Sequence, residues 1–178
     1  AAGGVGQIFC QWAKSLGCKV IGTVGSDEKI QIAKKNGCDE VINYSKEDFA
    51  KKVMELTNGK GVPVVYDGVG KSTLENSLKC LKTRGMMISF GNASGALSPI
   101  NVPKMLQPKG LFFVRPAMGQ YLHSAEELSE ASKMLFEKIS SGKVKIEIFK
   151  KYKLNDVVQS HEDLESRKIT GPAIIIPN

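Results

Sequence analysis

The sequence holds no apolar run near the ~18 residues a membrane-spanning helix needs, and no charged-then-apolar stretch resembling a signal peptide. The expectation is a cytoplasmic protein with no membrane partner. Cysteine is scarce and dispersed: Cys10, Cys18, Cys38 and Cys80 form no C-x-x-C pair and no tight cluster with His123 or His161, so no metal site is expected within the segment. Three of the four sit among apolar neighbours, as buried free thiols in a reducing compartment would. Neither histidine has a partner that would make it a general acid or base, and no catalytic residue is assigned. Internal repeats, low-complexity tracts and the aromatic–basic motifs of RNA-binding modules are also missing. The formal net charge of +7 is spread over scattered lysines, which points to phosphate on a small ligand rather than to nucleic acid.

What is present suits a globular domain with its own core: 178 residues, of which 42% are hydrophobic and 24% charged. Helical and strand patterns alternate throughout. Val5, Ile8, Phe9, Trp12, Ala13 and Leu16 form a 3.6-residue stripe that Gly17 ends, and "KVIGTV" (19–24) follows as a strand. Asp27 stands near the start of a second helix that Asn36-Gly37 closes, and residues 40–43 read as a short strand. Ser45 is the expected N-cap of a helix marked by Phe49, Val53 and Leu56 and stopped at Asn58-Gly59. "VPVVYD" (62–67) and "MMISFG" (86–91) flank a helix through Leu74, Leu78 and Leu81. These apolar runs lack alternation, as strands of a parallel sheet covered on both faces do.

Residues 92–108 turn rich in Gly, Ser, Pro and Asn and read as one long loop, a length that tends to be functional. "LFFV" (111–114) resumes strand character, and Leu128, Ala131, Leu135 and Ile139 place a long helix before Gly142. "KVKIEIF" (143–149) alternates strictly, predicting a strand with one wet face. A short helix near 157–164 and a final strand "AIII" (173–176) complete the pattern. The predicted class is α/β, a Rossmann-type doubly wound parallel sheet.

The opening "AAGGVG" carries the chemistry. Ala1, Gly3 and Gly6 have the spacing of the dinucleotide fingerprint, with alanine in the first place. Such a turn must be tight, lets a diphosphate approach the backbone, and presents unpaired amides at the positive end of a helix. At the end of the next strand, an NAD-binding protein usually places an acidic residue for the ribose hydroxyls, whereas a 2′-phosphate needs that carboxylate absent and a cation nearby. Here "GTVGSDEK" offers Gly25 and Ser26 in the turn and Lys29 beyond it, favouring NADPH. The competing reading makes Lys29 one solvated lysine among many and gives the ribose to Asp27 or Glu28.

Together with "VINY" (41–44), "VVYDGVG" (64–70), "MMISFGNASG" (86–95) and "LESRKITGPAIIIP" (164–177), the opening stretch resembles the quinone oxidoreductases. These form the zinc-free, NADPH-dependent branch of the medium-chain dehydrogenase/reductase superfamily. The resemblance implies that Gly3, Gly4, Val5 and Gly6 meet the diphosphate, and that Gly25, Ser26 and Lys29 hold the 2′-phosphate. It implies further that Tyr44 lies against the adenosine phosphate, that Phe90, Gly91 and Asn92 lie along the nicotinamide half, and that Arg167 reaches back to the cofactor. Without it, Tyr44 could cap a sheet edge, Phe90 could be core and Arg167 a surface ion-pair partner. Gly68 departs from the family, whose members often carry a cofactor-contacting serine there. Asp67 either binds amides of the following loop or merely ends its strand.

The resemblance also implies a quinone-type acceptor, a homodimer through the sheet edge near "LFFV", and a GroES-like catalytic domain outside this segment. Residues 1–142 would form the NADP-binding domain, truncated before its first, central strand. Residues 143–178 would pack on the catalytic domain. Alternatives are an enoyl or alkenal reductase of the same superfamily and a non-catalytic, crystallin-like protein that binds NADPH or RNA.

Overall fold

The computed structural model describes residues 1–166 and 168–177. The chain divides into two compact units, one of residues 1–47 with 132–178, the other of residues 48–131.

In the first unit, α1 (Gly4–Ser15) buries Cys10 and ends where Gly17 takes a positive φ of 82°. The parallel strands β1 (Ile21–Val24) and β2 (Glu40–Asn43) flank α2 (Glu28–Lys35), with Ile21 opposite Glu40 and Val24 opposite Asn43. Ala2, Cys10, Val20, Val24, Ala33 and Cys38 form the core. All four cysteines are free; Cys18 alone is exposed. Cys38 Sγ lies 3.5 Å from Cys10 Sγ, a contact that together with burial pushes the Cys38 thiol up.

In the second unit, α3 (Phe49–Leu56) precedes β3 (Val62–Asp67), α4 (Leu74–Cys80) and β4 (Leu81–Ser89). Then come α5 (Val102–Met105), a 3-10 turn, β5 (Phe112–Val114) and α6 (Met118–Tyr121). The ladder runs β3-β4-β5, parallel throughout, over a core of Leu74, Leu78, Leu81 and Met87. Burial pushes the Cys80 thiol up to about 12. The division between the units falls inside α7 (Ala125–Ser140), whose start carries a capping box: Ser124 Oγ accepts from Glu127 N at 3.1 Å and Glu127 Oε2 from Ser124 N at 3.2 Å. Glu127 also pairs with the exposed His123 at 2.9 Å.

The first unit closes with β6 (Lys150–Lys153), α8 (Val157–Glu165) and β7 (Ala173–Ile176), the two strands again parallel. Asp163, on α8, is buried and accepts from Lys150 Nζ, Tyr152 Oη and Gln159 Nε2 at 2.8, 2.8 and 3.0 Å, which ties the helix to β6. Lys150 foremost, then Tyr152, hold its carboxyl down at about 2.

Every ladder is parallel and every step between paired strands passes through a helix, the α/β winding that the alternating pattern predicts.

Four local expectations are corrected. Ser45 does not cap α3; Asp48 does, with an extended backbone and a carboxylate that accepts from Ala50 N at 2.9 Å and Lys51 N at 3.2 Å. It stands immediately before the first helical residue, where a cap must be. Residues 92–108 are not one loop: Asn101 caps α5 by accepting from Lys104 N at 3.0 Å, and four helical residues are too few to leave a 3.6-residue period. Residues 143–149 join no ladder among the described residues. Alternation reports two faces, whereas a strand needs a backbone partner. Here the Gln11 side chain supplies one, donating to Lys145 O at 3.0 Å and accepting from Lys145 N at 2.8 Å. The last strand pairs instead with 150–153. Finally, one face of β3 is open among the described residues, where Val64 and Tyr66 are 40% and 50% exposed.

Candidate dinucleotide-binding site

The turn before α1 is built around a contact that only glycine permits. A Cβ on Gly6 would stand 2.6 Å from Ala1 O and 2.7 Å from Ala1 C, so any side chain there would force the turn open. Gly3 is the N-cap and no side chain caps the helix. Its first turn holds no acidic residue. The first helical bond runs from Gln7 N to Gly3 O at 2.9 Å, which leaves the amides of Gly4, Val5 and Gly6 ahead of the ladder. A Cβ on Gly3 would meet nothing within 4 Å. Amides without a capping group, open space above them and the positive end of a twelve-residue helix fit a diphosphate.

The C-terminal segment lies beside this turn. Gln7 Nε2, on a side chain only 9% exposed, donates to Ala2 O and Thr170 O, both at 2.8 Å. Pro172 Cγ is 4.0 Å from where a Cβ on Gly4 would sit. Arg167, which the resemblance assigns to the cofactor, lies outside the described residues.

At the far end of β1, Gly25, Ser26 and Tyr44 come together. A Cβ on Gly25 would meet Tyr44 Oη at 2.8 Å, so the ring packs against bare backbone. Ser45 Oγ donates to Gly25 O at 2.8 Å. Lys29 N bonds Ser26 O at 3.2 Å, which sets Lys29 one turn beyond the loop, and among the described residues its ammonium makes no ion pair. Asp27, the rival ligand for a ribose, is engaged by Asn43 Nδ2 at 2.7 Å and by the Lys46 ammonium.

The second unit carries Phe90, Gly91 and Asn92 at the exit of β4, interlocked with the loop after β3. Asp67 does more than end its strand. Its Oδ1 accepts from Val69 N and Gly70 N at 2.8 and 3.0 Å, and its Oδ2 from Thr73 Oγ1 and Ser77 Oγ, both at 2.7 Å. Phe90 N donates to Asp67 O at 2.9 Å, and Ser94 N to Val69 O at 2.8 Å. A Cβ on Gly91 would run into Gly68 O and stand 2.8 Å from Gly68 Cα. A Cβ on Gly68 would meet Phe90 Cζ at 2.8 Å, so the ring occupies the space a serine would need and position 68 offers backbone alone.

Sequence reasoning passed over two residues that build these loops. Arg115, at the exit of β5, donates to Ser89 Oγ at 3.1 Å and Asn92 Oδ1 at 3.0 Å, bracing a residue assigned to the nicotinamide half. Asn43, buried at the end of β2, orients the β1 exit. Arg115 sits in no motif, and Asn43 stands inside "VINY" with nothing there to mark its role; the ladder register, Val24 with Asn43 and Ile88 with Val114, brings them to their partners. Among the described residues no group of three or more His, Cys, Asp or Glu could hold a metal ion, and no helix is long and apolar enough to cross a membrane.

Known proteins resemble the chain along nearly its whole length. The chain is 50% identical over 179 residues to Quinone oxidoreductase 1 of Escherichia coli (strain K12), covering 99% of this chain and 55% of that protein. It is 44% identical over 178 residues to the 2-haloacrylate reductase of a Burkholderia species, covering 99% and 54%. The solved Escherichia coli quinone oxidoreductase complexed with NADPH superposes with a TM-score of 0.94 at 49% identity, over 99% of this chain and 55% of that one. The chain thus spans about half the length of the curated relatives it matches. Residues 4–137 match the family described as zinc-binding dehydrogenase, from inside the glycine turn well into α7. That match spans most of the chain, and the chain therefore belongs to the zinc-binding dehydrogenase family.

Proposed function

We propose that this chain is the NADPH-binding part of an oxidoreductase that passes reducing equivalents to a quinone or similar electron-poor acceptor. The observation that carries the reading is the uncapped, glycine-built N-terminus of α1, joined to a β1 exit whose carboxylate is already engaged. The names of relatives at 44–50% identity, quinone oxidoreductases and a 2-haloacrylate reductase, support reduction of an electron-poor acceptor.

In this reading the bound nicotinamide supplies the hydride, and the protein's own residues bind, orient and exclude water. The amides of Gly4, Val5 and Gly6 hold the diphosphate, with Gly3 leaving the approach open. Gly25 and Ser26 receive the 2′-phosphate, Lys29 compensates its charge, and Tyr44 supports the loop. Phe90, Gly91 and Asn92 shape the nicotinamide end, held by Arg115 and by the Asp67-centred loop. Arg167 completes the set.

Residues 143–178 pack on a catalytic domain in this account, and the β5 edge, which pairs with β4 alone among the described residues, joins two copies into a homodimer in the cytoplasm. The test is NADPH oxidation by the complete protein with a quinone and with an α,β-unsaturated carbonyl compound. Turnover with the quinone at least tenfold faster is expected. Turnover with the enone alone, or with neither, overturns the proposal.

A further inference from the structure

Asp27 is the carboxylate that the β1 exit holds out to a nucleotide, and both its oxygens are taken. Oδ1 accepts from Asn43 Nδ2 at 2.7 Å, and Oδ2 pairs with the Lys46 ammonium. Asn43 is only 4% exposed, and its Oδ1 accepts from Ser45 N at 3.0 Å, so its amide is oriented with Nδ2 toward Asp27. The same short segment grips the loop twice more, through Ser45 Oγ on Gly25 O at 2.8 Å and through the Tyr44 ring against Gly25. The exit of β2, residues 43–46, is thus a clamp on residues 25–27.

Its chemical effect concerns charge. Lys46 first, then Asn43, hold the Asp27 carboxyl below the usual carboxylate range, so it is ionised at neutral pH with a compensating cation attached. An uncompensated carboxylate at this place would accept hydrogen bonds from ribose hydroxyls and repel a phosphate on the same ribose. With a donor on one oxygen and a cation on the other, Asp27 is a weaker acceptor for ribose and repels a phosphate less.

We propose that Asn43 and Lys46 are specificity-determining residues: by engaging Asp27 they make a strand exit that carries an acidic residue accept the 2′-phosphorylated nucleotide. They act through Asp27 and are positioning residues. The inference rests on the NADPH reading above and goes beyond it by stating why Asp27 does not select the unphosphorylated cofactor.

The test is equilibrium titration of the complete protein with NADPH and NADH at low ionic strength, followed by nicotinamide fluorescence, alongside thermal melting. Wild-type protein prefers NADPH. Lys46→Met weakens NADPH about threefold to fivefold, the range set by one exposed charge pair, while NADH binding holds or tightens and the melting temperature stays put. Lys46→Met with Asp27→Asn brings NADPH affinity back to within about twofold of wild type. An Asp27→Asn background in which Lys46→Met no longer changes NADPH affinity separates a lysine acting on Asp27 from one that touches the phosphate directly. No change in Lys46→Met, equal loss of both nucleotides, or a double variant as weak as the single one overturns the inference. A wild-type protein without preference for NADPH overturns the cofactor reading itself, and this inference with it, before any variant is compared.

Discussion

Two loop pairs at strand exits are held in opposite ways. At the exits of β1 and β2 the fastening is made mainly of exposed side chains, Lys46 on Asp27 and Ser45 on Gly25, over a buried Asn43, with the Asp27 side chain 54% exposed. At the exits of β3 and β4 the fastening is buried: Asp67, 5% exposed, accepts four hydrogen bonds, and Gly91 packs against the backbone of Gly68. Exposed charge pairs contribute little to stability but can still decide which ligand charge is tolerated nearby. Buried acceptors and backbone contacts contribute much and leave little room to vary. The contrast separates a part of the molecule suited to selecting a ligand from one suited to holding a shape.

That contrast can be broken by substitution. Asp67→Ala removes the acceptor of four donors in the second unit, of which Thr73 Oγ1 alone keeps another at Gly70 O, and is expected to lower unfolding stability by about 3 kcal/mol, read from denaturant midpoints of the complete protein. Asp67→Asn retains part of the acceptor set and costs less. Gly91→Ala presses a methyl group into Gly68 and is expected to cost about 2 kcal/mol, with NADPH binding weakened in parallel. If Gly91→Ala is neutral in both assays, the two loops are not interlocked as described.

Lys46→Met sits at the other extreme, leaving the denaturant midpoint within error of wild type. Salt sharpens the same comparison. Raising ionic strength from about 0.05 M to about 0.5 M should erase the NADPH effect of Lys46→Met while leaving the cost of Asp67→Ala in place. Acid gives the smallest signal. Because the folded Asp27 carboxyl is depressed, its pairing stabilises the fold above the unfolded carboxylate value of about 3.9 and is lost only as pH falls through the lower folded value. An Asp27→Asn variant should therefore differ from wild type above that window and converge with it below.

Much of this was legible from residues alone, for reasons that can be named. Gly17, Gly37 and Gly59 mark helix ends because their positive φ values are ones other residues rarely adopt. The turn at Gly3 to Gly6 was readable because close backbone approach excludes side chains. What escaped was pairing. Residues 143–149 alternate as a strand does, yet the amide of Gln11, remote in sequence, occupies the backbone groups of Lys145. Asp48 and Ser45 are equally good caps on paper, and the position of the helix start chose between them.

Left to itself, the order of residues determined the α/β winding, the glycine turn and the class of ligand it suits, because periodicity and the steric demands of glycine act over a few neighbours. The tertiary structure alone decided what Asp27 does. A carboxylate at a strand exit is ambiguous until the neighbouring strand, through Asn43 and Lys46, brings a donor and a cation to it. Contacts made across such sequence distances depend on register and packing, which no local pattern encodes.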